Sequence, residues 1–67
     1  MIGIKEFEAK SNRQLGICLR VLADEKIDET VIKTVLNEKG QIRFRILVNI
    51  EDEFYERLKQ RYQYIRS

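Results

Sequence analysis

Along this chain two alternating stretches are set between two stretches of helical periodicity. From Ile2 to Ala9, Phe7 and Ala9 fall on one side and Glu6 and Glu8 on the other, which predicts a strand. Ser11 is a good N-cap, and Gln14 three residues later completes a capping box. Beyond it Leu15, Cys18, Leu19 and Leu22 recur at 3.6-residue spacing, so the spacing predicts an amphipathic helix with that stripe inward. Residues 26–28 form its exit, with Ile27 anchored in the core.

A hairpin follows, and its turn sets the register. Gly40 suits the left-handed position that closes a three-residue loop, Glu38-Lys39-Gly40, so Asn37 stands opposite Gln41. Counting outward, Leu36 faces Ile42, Thr34 faces Phe44 and Ile32 faces Ile46. These six are expected to form the core side. Val31, Lys33, Val35, Arg43, Arg45, Leu47 and Asn49 then share the other face. A slip of one residue would put Lys33 beside Phe44, so this register is preferred. From Asp52 to Ile65, Phe54, Leu58, Tyr62 and Ile65 share one helical face. Residues 61–67 also alternate, which leaves a short final strand open. No Gly or Asn marks a turn before them, so the helix ranks first.

The order strand, helix, strand, strand, helix places the chain in the α+β class. It predicts a ferredoxin-like sandwich: an antiparallel sheet with the helices on one face and a short or missing last strand. The whole of residues 1–67 reads as a single domain, with no linker, repeat or low-complexity segment.

Composition narrows the function. A chain of 67 residues builds a small core with a thin stability margin, so self-association is the expected supplement. Cys18 is the only cysteine, which excludes an internal disulfide and suits a reducing cytoplasmic setting. No apolar run is long enough to cross a bilayer, and the first ten residues lack a signal-peptide pattern. Thirteen basic against eleven acidic residues leave a net charge of +2, too little to indicate nucleic acid by itself. In the last helix the acids (Glu51, Asp52, Glu53, Glu56) precede the bases (Arg57, Lys59, Arg61, Arg66), which complements the helix dipole.

The candidate chemistry is sparse. Without histidine, a phosphate loop or metal-ligand spacing, and with Cys18 on the apolar stripe, no catalytic residue, metal site or cofactor is expected. Lys33 opposite Arg45, with Arg43 alongside, makes a basic strip on the outer sheet face. One reading is a nucleic-acid surface. The favoured one is neutralisation by Glu6 and Glu8 on the neighbouring first strand, because no outward aromatic is there to stack bases. Val31, Val35 and Leu47 share that face and mark a surface that a partner, first of all a second copy, is expected to cover.

The segment NRQLGICLRVLADEKID resembles the first helix of an ACT domain, which ends in "LAE-x-GI" after a loop near "DRPG". Leu15, Leu19, Leu22, Ala23 and Ile27 fall where that helix places its apolar residues, and Lys26 stands at the usual glycine. The resemblance spans residues 2–62. It implies a non-catalytic regulatory module, homodimeric, that binds an amino acid where the first strand meets the first helix and so controls a partner enzyme. Carried over, the ligand-binding residues are Asn12, Arg13, Gln14 and Leu15, with Gly16 beside them. A free helix N-terminus flanked by Lys10 and Arg13 would suit a carboxylate, although capping alone accounts for Ser11 and Gln14. The alternatives to this regulator are the nucleic-acid surface and a purely structural subunit.

Overall fold

Alternation and helical periodicity resolve into five elements in a computed structural model that describes residues 2–27 and 29–67. These are β1 (Ile2–Ala9), α1 (Asn12–Asp24), β2 (Val31–Leu36), β3 (Ile42–Glu51) and α2 (Asp52–Arg66). The strands form one antiparallel sheet in the order β1-β3-β2. The chain leaves β1, passes through α1 and returns as β2, leaving room for β3 between them. This α+β arrangement is consistent with a ferredoxin-like sandwich. α2 runs to Arg66, so residues 61–66 end the helix and form no strand.

The local signals act as read. The Ser11 side chain accepts the Gln14 N–H at 3.2 Å, and Gln14 Oε1 accepts the Lys10 N–H at 2.9 Å, so the cap reaches one residue further back than the usual box. At the other end Lys26 donates to the Ala23 carbonyl (2.9 Å) and Ile27 to the Leu22 carbonyl (3.0 Å), which is a Schellman closure. It requires Lys26 at φ 60°, a left-handed conformation that favours glycine. Lys26→Gly is therefore expected to raise stability by about 0.5–1 kcal/mol in urea titrations. Asp28, the last residue of the predicted exit, lies outside the described residues.

The hairpin closes in the predicted register. Asn37 donates to the Gln41 carbonyl at 2.9 Å, Gly40 sits at φ 76°, and Ile32, Thr34 and Leu36 stand opposite Ile46, Phe44 and Ile42. The core, however, lies off-centre. Phe7 and Ala9 of β1 and Ile46, Val48 and Ile50 of β3 meet Cys18, Val21 and Leu22 of α1 and Leu58 and Tyr62 of α2. Both helices pack on β1, and α2 also on β3. The helix layer is thus centred on β1 and β3.

Three expectations are corrected by that offset. Of the six residues assigned to the core side of the hairpin, only Ile46 is buried and Phe44 half-buried. Ile32, Thr34, Leu36 and Ile42 are exposed, Leu36 at 68 % and Ile42 at 52 %. On α1 the inward stripe turns toward α2, so Val21 is buried and Ile17 packs on the core, while Leu19 stays half-buried and Ala23 is exposed. On α2, Ile65 is exposed.

Candidate interaction surface

The β1–α1 junction holds the five residues expected to bind a ligand. Asn12, Arg13 and Gly16 are exposed, and Gln14 and Leu15 are half-buried. The cap engages Gln14 through both its N–H and its side chain. Arg13 points along the surface, with its guanidinium 3.5 Å from the Arg66 carbonyl. None of the five lines any of the cavities described below.

The basic strip forms as the register requires, with Lys33 opposite Arg45 and Arg43 opposite Val35. Arg45 Nε lies 3.8 Å from Glu6 Oε1, and Glu8 stands directly across from Arg45. Arg43 is bound into its own turn, donating to the Ile42 carbonyl (2.9 Å) and Gln41 Oε1 (3.0 Å). Lys33 has no ion pair among the described residues. A shallow cavity lined by Glu8, Lys10, Val35, Leu36, Asn37, Arg43 and Arg45 mixes both signs of charge. The first-strand acid is thus within ion-pair reach of Arg45, an exposed contact that contributes well under 1 kcal/mol.

The helix-free face is more apolar than its charges suggest. Val31 is exposed, and Leu47 and Val35 are half-buried. Ile2 and Ile4 join them, Ile4 being 70 % exposed, because β1 residues two apart share a face. A depression of about 560 Å³ opens there, lined by Ile4, Val31, Leu47, Val48 and Asn49 together with Glu29 and Thr30. The sequence carried this signal. With Phe7 and Ala9 assigned inward, Ile4 and Ile2 fall on the same side as Glu6 and Glu8.

The two edges of the sheet differ. On β1, α2 covers the outward carbonyls of Glu6 and Glu8. Tyr55 donates its hydroxyl to the Glu6 carbonyl (2.8 Å), and Tyr62 to the Glu8 carbonyl (2.7 Å). Arg66 adds a second donor to the Glu8 carbonyl at 3.0 Å and lies over the Tyr62 ring at 4.8 Å. Both tyrosine rings stand edge-on to Phe7. A side chain that occupies an edge carbonyl hinders strand addition there. The spacing of Tyr55, Tyr62 and Arg66, seven and four residues apart, puts them on one helical stripe, and that was the signal for their joint role. Lys5, on the helix side of β1, pairs with Asp52 at the start of α2 and holds that carboxyl below its usual range. On β2, no side chain among the described residues bonds the outward backbone groups.

Cys18 lies between sheet and helices with only 1 % of its surface exposed. Burial pushes its thiol up to about 12, opposed in part by the positive charge of Arg66. A thiol held neutral and covered does not act as a nucleophile. In native buffer it is expected to react with a thiol-specific reagent at least tenfold more slowly than in denaturant; equal rates would show that the site is open.

Compared with known proteins, the chain matches no family model, no curated protein sequence and no solved structure.

Proposed function

We propose that this chain is a non-catalytic interaction module, of ferredoxin-like topology without a fourth strand, that works as a homodimer in a reducing, cytoplasmic setting. The observation that carries the reading is the uncovered apolar surface on and around β2. Val31 and Leu47 lie on the helix-free face, and Ile32, Leu36 and Ile42 on the side the helices fail to reach. Apolar residues left exposed on both faces of one strand mark it as a contact element. A small core gains most from association, and two-fold pairing of identical chains is the commonest form of it. Val31 and Val35, on β2 itself, serve as partner residues in this account, and Leu47 and Ile4 continue the same face behind them.

Control of a partner enzyme by an amino acid bound beside Arg13 finds no supporting contact, because Ser11 and Gln14 complete the α1 cap between themselves. Of the basic strip, Arg45 is met by Glu6 and Arg43 by Gln41, within the chain. The test is the molar mass in solution by light scattering across a concentration series. The expected mass rises toward twice the 8.1 kDa of one chain. A mass that stays at one chain up to about millimolar protein, the limit of weak association, would contradict the homodimer.

A further inference from the structure

We propose that the contact of this homodimer is an edge-to-edge, antiparallel pairing of β2 with β2 of a second copy, with the two Thr34 residues facing each other on the two-fold axis. The inference rests on the homodimer reading and names its contact. It follows from which edge is open, which backbone groups that edge presents, and which register the side chains allow.

The edge is chosen by which strand has its outward groups free along its whole length. β3 is central, and the β1 edge carries Tyr55, Tyr62 and Arg66 on its carbonyls. β2 has neither this cover nor a proline, and its strand VIKTVL is rich in β-branched residues. An uncovered edge of this composition is a template for another strand.

The backbone then fixes the parity. Asn37 points its N–H at β3, to the Gln41 carbonyl. Antiparallel residues two apart point the same way, so Val35, Lys33 and Val31 also bond β3. Ile32, Thr34 and Leu36 therefore direct both N–H and C=O to the free edge. A second β2 must align these three with its own three.

Side chains favour a register centred on Thr34 over one centred on Lys33. Centring the pair on Lys33 would set two ammonium groups directly across from each other, which is unfavourable. Centring it on Thr34 sets Ile32 against Leu36 of the second copy, twice, with the two threonines between them. Lys33 then faces Val35, and the same offset brings Glu29 toward Lys39 at both ends. Charge complementarity and the apolar pairs thus agree on one alignment. It gathers Ile32 and Leu36, the residues the helix layer leaves exposed, into a single strip across the two-fold.

Cysteine trapping tests the register, because Cys18 is buried and stays out of the reaction. Facing residues of a hydrogen-bonded antiparallel pair lie about 5.5 Å apart at Cα, inside the window for a disulfide. In the proposed alignment the two Lys33 are offset by two residues and lie roughly 8 Å apart, outside it. Under mild oxidation Thr34→Cys is expected to form a covalent dimer and Lys33→Cys not to. Preferential bridging by Lys33→Cys would overturn the register. Absence of bridging in both variants, in samples that light scattering shows to be dimeric, would overturn the edge and leave the homodimer standing. A wild-type chain that is monomeric throughout would remove both. Thr34→Pro supplies the second variant, since it deletes an N–H that β3 does not use. It is expected to weaken dimerisation roughly tenfold or more with unchanged circular dichroism of the monomer. An unchanged dissociation constant would count against the edge.

Discussion

Leu22→Ala is expected to leave the domain largely unfolded, whereas Leu36→Ala leaves the dilute monomer nearly unchanged. Both remove the same three carbons. Leu22 is 1 % exposed and packs between the sheet and α2. Its truncation removes burial and opens a cavity, at a cost of about 2–5 kcal/mol. A domain of this length has a total stability of only about 3–10 kcal/mol, so that loss is most of the margin. Leu36 lies beyond the helix layer, and an exposed truncation changes stability by less than about 0.5 kcal/mol. Urea titration followed by circular dichroism at low micromolar protein separates the two. Equal midpoints would mean that the core does not stop short of β2, and the account of the uncovered strand would fall with it.

Alkaline pH is the second strong lever. Burial pushes the Cys18 thiol from the ordinary 9.0 up to about 12 in the fold, because it opposes the thiolate charge. The folded protein therefore holds this proton more tightly than the unfolded chain does. Below pH 9 both states are protonated, and the group contributes no pH dependence. From about 9 upward the unfolded chain loses its proton first, so stability falls as pH rises, and the fall due to this group levels off as the folded thiol also ionises. Tyr62, raised above 10.0 by burial, adds to the fall in the same direction at higher pH. Tm measured in half-unit steps from pH 7 to pH 11 is expected to be flat and then to drop. In Cys18→Ala the drop is expected to begin later, where Tyr62 alone acts. Identical profiles for both proteins would show that the thiol is not the group responsible.

How much of this was legible in the sequence varied with the kind of signal. Ser11, Gln14, Gly40 and the alternation of β2 with β3 are local, and each determined its own turn, cap or register. The register of the hairpin could be counted outward from Gly40 alone. What the sequence did not show was which strands the helices would cover. That depends on where α2 lies, and α2 hangs over the β1 edge because Tyr55 and Tyr62 reach the Glu6 and Glu8 carbonyls. Such contacts join residues 49 and 54 positions apart, and periodicity does not encode them. Leu36 and Ile42 were apolar on the correct side of the correct register and still remained exposed for this reason. Val21 escaped notice because the stripe of α1 was drawn through Leu15, Cys18, Leu19 and Leu22, while the helix also packs against α2. The outer-face residues Val31, Val35 and Leu47 were readable in advance, since a strand's parity is enough to place them. Ile4 was readable by the same parity and was missed.

The measurement that bears most directly on the central claim is amide hydrogen exchange at Thr34, followed by NMR over a range of protein concentrations. Its N–H points away from β3, and in a single chain it has only water as partner. The dimer gives it the carbonyl of Thr34 in the second copy. Protection at Ile32, Thr34 and Leu36 is expected to rise together with concentration, while Lys33 and Val35, bonded to β3, are protected throughout. Exchange at Thr34 that stays as fast as in an unprotected peptide at every concentration, in samples where the mass has doubled, would contradict the pairing.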